Sequence, residues 1–543
     1  MTVWLIFLLI SISVGCLLSG RLLIHYFQLE SYQFPGYFRT VKRNFFRAFL
    51  PGVIVNIVWI VASVFFALII PEENEWLPSV CVSVSVLICG IIVFRFLRDR
   101  KAKKPLRYTP RIKRLYLTAL LVFFLLLLLL WRLSQTNAGT SSPFSFTPVT
   151  PFFILFPLLL PLWIALAGLI AWPIEKLISE MYFRDAQRIL RNRPDLIRIG
   201  ITGSWGKTSV KFILGTILKE KYQVLVTPAS FNTPMGVTKV IRNDLAPGHR
   251  VFIAEMGARH VGDIREMCRL VHPEIGVLTS VGPQHLDTFR TVERVAKTKY
   301  ELMDAIPKDT GRCFFSDDAD ICRQLYLKTD KQKTIAGLYP DTDDIWAEDI
   351  TAGPEGSRFM LCTRNERIPC STVLLGKLNI QNILLSASVA MELGLTAEQI
   401  ARGISRLKPI EHRLQLISNP GGITIIDDAF NSNIIGAEHA FQTLKDFPGR
   451  RIVITPGMVE LGKMEKEMNR QFGEKMASCC DAAILVGKGR SESIAEGLKS
   501  RQFPENEIHI TNSLEEAADL MRSMVHPGDT VLFENDLPDN YES

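Results

Sequence analysis

The run Arg198-Ile199-Gly200-Ile201-Thr202-Gly203-Ser204-Trp205-Gly206-Lys207-Thr208-Ser209-Val210-Lys211 constrains the fold more than any other segment. An apolar strand leads into a glycine-rich turn, and a helix starts at its far end. That order places the turn at the carboxyl edge of a sheet strand, where open α/β sheets bind ligands. Backbone N–H groups of such a turn, with the helix N-terminus, form a cradle for phosphate oxygens. Lys207 is placed to reach β- and γ-phosphates, and the Thr208 hydroxyl to ligate Mg²⁺. Gly203, Ser204, Trp205, Gly206 and Ser209 complete the candidate nucleotide-binding loop. The common phosphate loop carries a glycine five residues before the position of Gly206, where this chain has Ile201.

The chain has 543 residues, 48% of them hydrophobic, and a positive mean hydropathy of +0.17. The excess sits before residue 175, which points to membrane spans rather than an enlarged core. The formal net charge of +7 is modest and concentrated near residues 95–114, so no nucleic-acid surface is expected. Ten cysteines are scattered with no C-x-x-C pair, which argues against a zinc ribbon. The pattern fits buried thiols, including the adjacent Cys479 and Cys480, and a reducing compartment for the catalytic part.

Five apolar stretches are candidate membrane helices: Val3–Leu18, Phe49–Ile70, Trp76–Phe94, Leu115–Trp131 and Phe152–Trp172. About 20 apolar residues cross a hydrocarbon core. The first lacks the basic leader and small-residue cleavage site of a signal peptide, so a retained helix is expected. Arg95, Arg98, Arg100, Lys101, Lys103, Lys104, Arg107, Arg111, Lys113 and Arg114 crowd one loop, and Arg39, Lys42 and Arg43 lie in another. The alternate loops are Pro71–Glu75 and the Ser/Thr-rich Ser134–Thr150. By the positive-inside rule the basic loops face the cytoplasm, which places everything after Trp172 on that side in a multi-pass cell-membrane protein. The same basic loops could attract anionic membrane lipid.

Pro173 ends the last apolar span, and residues 173–195 read as an amphipathic connecting helix, with Ile174, Leu177, Ile178, Met181, Tyr182, Ile189 and Leu190 at helical spacing. From Leu196 the chain alternates strands and helices. Expected strands are Ile197–Thr202, Tyr222–Thr227, Arg250–Glu255, Ile275–Ser280 and Gly311–Phe315. The fold class is therefore α/β: an N-terminal helical transmembrane region (1–172), a P-loop parallel-sheet ATPase domain (196–410) and a smaller doubly wound domain (411–543). Strands of the last are expected at Ile423–Ile426, Arg451–Ile454, Ala482–Val486, Glu507–Ile510 and Thr530–Phe533.

Glu255 ends a hydrophobic strand, where a carboxylate can take Mg²⁺ near nucleotide phosphates or cap a helix. His285 follows another apolar strand in Thr279-Ser280-Val281-Gly282-Pro283-Gln284-His285-Leu286-Asp287, on the same expected edge, and is a candidate metal ligand. Lys299 comes fourteen residues later; taken alone it reads as a solvated helix face.

Taken together, these motifs resemble the Mur ligase family. Thr-Gly-Ser-x-Gly-Lys-Thr-Ser opens that family's central domain, and Glu255, His285 and Lys299 match its glutamate, histidine and lysine in order. The resemblance implies that Lys299 is N-carbamylated and, with Thr208, Glu255 and His285, organises Mg²⁺. Ser230–Val237 is similar to the family's Asn-Phe-Asn-Asn-x-x-Gly-Val, which makes Asn232 a substrate-binding candidate. Leu375–Asn382 is similar to Gly-x-His-Asn-x-x-Asn, which implies that Asn379 and Asn382 approach adenine; Leu378 replaces the usual histidine. Glu411-His412-Arg413-Leu414 matches the arginine that contacts ATP phosphate. Ile426–Asn433 matches the opening of the third domain, which implies that Asp428 meets ATP, and Asn431 and Asn433 the substrate. Pro456–Gly462 resembles the Gly-x-Met-x-Glu-Leu-Gly of the D-alanyl-D-alanine-adding branch. Two features depart from the family: Val531–Asp539 stands where that branch has Lys-Gly-Ser-Arg, and helices stand where soluble members have a UDP-sugar domain.

The resemblance implies an ATP- and Mg²⁺-dependent acid–amino-acid ligase of cell-wall precursor synthesis. A muropeptide carboxylate, UDP-linked or lipid-linked, would be phosphorylated, and an amino acid or a dipeptide such as D-Ala-D-Ala would attack the acyl phosphate. Lys207, Lys299, His285 and Arg413 are the expected catalytic residues. A related ligase that amidates or extends a lipid-linked acceptor is the alternative within enzymes, and a non-catalytic nucleotide-binding membrane scaffold the alternative outside them. A transporter is disfavoured because the spans carry no charge at midplane depth.

Overall fold

A computed structural model describes residues 3–71, 76–96, 105–138, 155–229, 231–318, 320–418, 421–429, 434–459, 461 and 464–535. The chain divides into two compact units between Glu180 and Met181.

The first unit is helical. Among the described residues four helices are long and apolar enough to cross a membrane: Phe45–Ile69, Leu77–Phe96, Pro110–Leu133 and Phe156–Arg191. A fifth candidate is the pair Val3–Ser19 and Arg21–Leu29, bent by 48°. Their outward faces are apolar: Phe46, Leu68 and Phe96 are each more than 80% exposed. Small residues let the helices approach. A Cβ on Gly90 would lie 2.9 Å from the Gly15 backbone, so Val3–Ser19 and Leu77–Phe96 cross there with no side chain between them. Arg114 grips Glu175 through both oxygens, at 2.5 and 2.9 Å, and Arg111 stands 3.8 Å away.

Pro173 does not break its helix, which runs unbroken over Leu160–Arg191 rather than restarting as a separate connecting element. A proline removes one backbone hydrogen bond and crowds one carbonyl, a cost the flanking turns of this long helix absorb.

The second unit carries two sheets. The strands are β1 (Ile197–Thr202), β2 (Val224–Val226), β3 (Val251–Glu255), β4 (Ile275–Leu278), β5 (Arg312–Ser316), β6 (Lys333–Ala336), β7 (Ile345–Gly353), β8 (Gly356–Thr363) and β9 (Arg367–Thr372), then β10 (Gln415–Ser418), β11 (Thr424–Asp428), β12 (Arg451–Thr455), β13 (Ala482–Val486), β14 (Ile508–Thr511) and β15 (Thr530–Glu534). The larger sheet has the order β2-β3-β1-β4-β5-β6-β7-β8-β9. Its strands are parallel as far as β7, and β8 and β9 then fold back antiparallel. β3 is buried along its whole length, as a strand covered by helices on both faces must be. The smaller sheet has the order β10-β11-β15-β12-β13-β14, parallel except for β10. The antiparallel additions β8, β9 and β10 extend an otherwise doubly wound pattern. Pro369 sits in β9, the outermost strand of the large sheet.

Candidate functional site

Neighbouring strands of the large sheet deliver the site to one edge. β1 ends at Thr202 and β3 at Glu255, with Ile201 paired to Glu255; β4 lies on the other side of β1. The loop after β1 turns at Gly206, whose φ of 77° lies in the left-handed region, and the helix Lys207–Leu218 begins. A Cβ there would meet Asn382 Oδ1 at 2.8 Å, so glycine is required twice over, by conformation and by space. A Cβ on Gly203 would lie 2.1 Å from Thr279 Oγ1. The loop after β4 holds the turn from behind: Ser280 Oγ accepts from the Trp205 N–H at 2.7 Å and donates to its carbonyl at 2.9 Å, and Thr279 donates to the same carbonyl. Ser204 Oγ exchanges hydrogen bonds with the Gly282 backbone, both 3.1 Å.

Lys207 donates to the Gly203 and Ser204 carbonyls at 2.6 and 3.0 Å. Burial lowers its pKa to about 8, with Arg413 acting in the same direction and Glu255 against it. Thr208 and Lys211, three apart, share the helix face above β3. Both reach Glu255 Oε2, at 3.0 and 2.9 Å, and Asn232 donates to Oε1 at 3.0 Å. Burial raises the Glu255 pKa, but the charges of Lys211 and Lys207 outweigh it and the net shift is downward. Lys211 and Glu255 are both almost fully buried; removing one partner of such a pair costs about 3–5 kcal/mol. Lys299 is buried in the helix Val292–Ala305. Burial, then the Lys207 charge, hold its pKa well below normal, with Asp263 and Glu255 opposing. It is therefore not the solvated lysine its helical spacing suggests when read alone.

His285 precedes the short helix Leu286–Phe289 with φ 50°, and its carbonyl accepts from the Thr288 and Phe289 N–H groups at 3.0 Å each. Asn379 donates to the Leu375 carbonyl at 2.9 Å, bracing the start of the helix Gly376–Glu392, from which Asn382 faces Gly206. Ser209 is buried one turn into the phosphate-loop helix.

The small sheet contributes from its own carboxyl edge. Asp428 ends β11 and pairs in register with Glu534, which ends β15. Their side chains share a hydrogen bond, and Asp428 also accepts from the Leu414 N–H at 3.1 Å. Burial raises the Asp428 pKa, with Arg413 acting against it. Arg413 lies between the sheets: Asp428 and Glu534 act on its charge from one domain and Glu255 from the other. Asn431 and Asn433 lie outside the described residues.

Sequence reasoning did not single out Lys211, Asp318 or Glu534 as site residues. The three-residue step from Thr208 was a usable signal for Lys211. Asp318 and Glu534 follow or end apolar strands just as Glu255 does.

Among the described residues no three His, Cys, Asp or Glu side chains are grouped to hold a metal. The oxygen donors Thr208 and Glu255, side by side, fit Mg²⁺ in ligand chemistry. The glycine-lined loop under Lys207 fits a polyphosphate.

Residues 201–390 match the Mur ligase middle domain and residues 412–534 the Mur ligase glutamate ligase domain. The chain is 30% identical over 370 residues to the UDP-N-acetylmuramoyl-tripeptide–D-alanyl-D-alanine ligase of Mycobacterium leprae, spanning 62% of this chain and 70% of that one. It is 29% identical over 311 residues to the enzyme of that name from Escherichia coli, spanning 57% and 69%. The MurF ligase of Thermotoga maritima, solved in complex with ADP, superposes with a TM-score of 0.60 at 25% identity, covering 66% of this chain and 80% of that one. With these matches running in order through both sheet domains, the chain belongs to the Mur ligase family of ATP- and Mg²⁺-dependent ligases.

Proposed function

We propose that this chain is a membrane-anchored ligase that joins an amino acid or dipeptide, such as D-Ala-D-Ala, to a muropeptide carboxylate. The reading rests above all on one convergence: Lys207, Glu255 and Lys299 of one domain and Arg413 of the other act on each other's charges at a single sheet edge. The acceptor carboxylate attacks the γ-phosphorus of ATP, giving an acyl phosphate and ADP, and the amine then displaces phosphate to form the amide. Lys207 exchanges the Gly203 and Ser204 carbonyls for phosphate oxygens. Arg413 adds a second cation where negative charge develops. Thr208, Glu255, His285 and Lys299 would hold Mg²⁺, which supplies charge neutralisation. Burial and the Lys207 charge favour the neutral amine of Lys299, the form that adds CO₂, so this environment supports its carbamate, an anion. Gly203, Ser204, Trp205, Gly206 and Ser209 frame the phosphates. Asn379, Asn382 and Asp428 are assigned to the nucleotide, and Asn232, Asn431 and Asn433 to the acceptor or amine.

We assign the helical unit to the membrane, with the catalytic domains on the cytoplasmic face. The Arg111–Arg114–Glu175 cluster supports this orientation, because it ties the basic start of one helix to the point on Leu160–Arg191 where the apolar run ends. The domains are drawn at 1–172, 173–195, 196–410 and 411–543. The apolar exterior of the helical unit favours, as a second reading, an acceptor carried on a membrane lipid, which anchoring would concentrate near the site.

The test is turnover of detergent-solubilised protein with ATP and Mg²⁺, offered UDP-linked or lipid-linked muropeptides and candidate amines, with phosphate release and product mass measured. Phosphate release that needs both acceptor and amine, with a product heavier by the amine less water, is the expected result. ATP binding without any such product would leave a nucleotide-binding scaffold. Equal use of the soluble acceptor, unaffected by the absence of lipid, would defeat the membrane-acceptor reading alone.

A further inference from the structure

The helix Ile434–Lys445 of the small-sheet domain meets the nucleotide domain along one stripe. Ile435, His439 and Thr443 recur every four residues and so share a face. A Cβ on Gly282 would lie 3.4 Å from Ile435 Cδ1 and 2.6 Å from the Trp205 ring. His439 Nε2 is 3.7 Å from Asp318 Oδ1. Thr443 Oγ1 would lie 2.3 Å from a Cβ on Gly376, which has a φ of 78°. Lys377, next in that helix, acts on the charge of Asp446 at the far end of the stripe.

The polar link in this stripe is Asp318. Its side chain is 3% exposed, and its second oxygen, Oδ2, accepts from the Trp205 indole N–H. Trp205 is itself buried between Gly203 and Lys207, and its backbone is clamped by Thr279 and Ser280. One buried carboxylate therefore touches the phosphate loop with one oxygen and faces the other domain with the other.

We propose that Asp318 and His439 are positioning residues that couple the shape of the phosphate loop to docking of the small-sheet domain. A buried carboxylate is costly unless its oxygens are satisfied. Docking brings His439 to Asp318, and Asp318 fixes Trp205 and with it the turn that places Lys207. Undocking takes the His439 imidazole away from Asp318 and loosens the indole contact. Linkage then runs both ways: a nucleotide on the loop strengthens docking, and docking strengthens the nucleotide.

The proposal rests on nucleotide binding at this loop, so the experiment separates the two. Full-length protein in detergent is given Mg²⁺ and a non-hydrolysable ATP analogue. Binding is measured directly, and hydrogen exchange is followed in residues 434–445. No binding by the wild type would remove the nucleotide reading itself. With binding, slower exchange in the helix is expected. His439→Leu should bind about tenfold more weakly, within the range of ordinary coupling energies, and should lose the nucleotide-dependent slowing. His439→Gln, which keeps an N–H donor, should restore both, and Asp318→Asn should behave as His439→Leu does. Wild-type affinity and slowing in His439→Leu would overturn the proposal. Equal loss in His439→Leu and His439→Gln would also overturn it, since packing rather than the polar link would then carry the effect.

Discussion

The two sheets of the second unit solve the same geometric problem with opposite charge. Each is mainly parallel and each gathers its functional groups at the carboxyl edge. At the large sheet that edge carries the cations Lys207 and Lys211 around one carboxylate, Glu255, with the buried Lys299 beside them. At the small sheet it carries two carboxylates in register, Asp428 and Glu534, facing one cation, Arg413. The difference teaches that architecture fixes where a ligand sits and the side chains fix which one. A cation-rich edge suits a polyphosphate; at the acidic edge Asp428 is assigned to the nucleotide, and the carboxylate of Glu534 suits an arriving amine. Neither edge is complete alone, because the charge of Arg413 is shared between them.

The largest effect should come from emptying the cationic edge. Lys207→Ala should lower turnover by about 10³, the scale for losing one preorganised charge partner of a transition state. Thermal unfolding should stay near wild type. Near-normal turnover would remove the phosphate loop from the site. Next is Lys299→Ala, expected to lose about 10², the lower end of the same scale, and to recover part of it with added acetate. Recovery follows only if the missing group is an anion; activity without any additive would make Lys299 a structural residue.

At the acidic edge, Glu534→Gln should raise the amine KM by about tenfold while leaving the ATP KM unchanged, the size of one charge-assisted hydrogen bond. An unchanged amine KM with a raised ATP KM would erase the division of labour between the two edges. The smallest effect is a pH dependence. On the proposed reading Lys207 binds phosphate as a cation, and burial lowers its pKa to about 8. ATP affinity should therefore be full below that value and weaken as pH rises through it. Calorimetric titration between pH 6.5 and 9.5, on the ordinary working scale for such groups, would show it. A flat profile would mean that another cation carries the phosphate.

Most of the large-sheet edge was legible in sequence because its residues follow local rules. A glycine-rich turn between strand and helix announces Lys207 and Thr208, and a carboxylate ending an apolar strand announces Glu255. The strands β1, β3, β4 and β5 follow from apolar runs for the same reason. Strands β7–β9 and β10 escaped, since antiparallel pairs at the rim carry mixed alternation rather than a continuous apolar run, and the parallel β6 because it is only four residues long. The helix through Pro173 escaped because a proline reads locally as a stop, whereas in a helix of 32 residues it is tolerated. The burial of Lys299 and the meeting of Asp318 with His439 depend on elements far apart in sequence, so no local pattern encodes them.

The outermost strands have a consequence of another kind. β2 has three residues, β10 and β14 have four each, and β9 carries Pro369. A strand rim with unused N–H and C=O groups invites a second copy to add on, and such addition is the seed of aggregation. Here each rim is either too short to set a stable register or lacks a donor along its length. Two large sheets can therefore sit in one chain, many copies side by side, without one molecule becoming the template for the next.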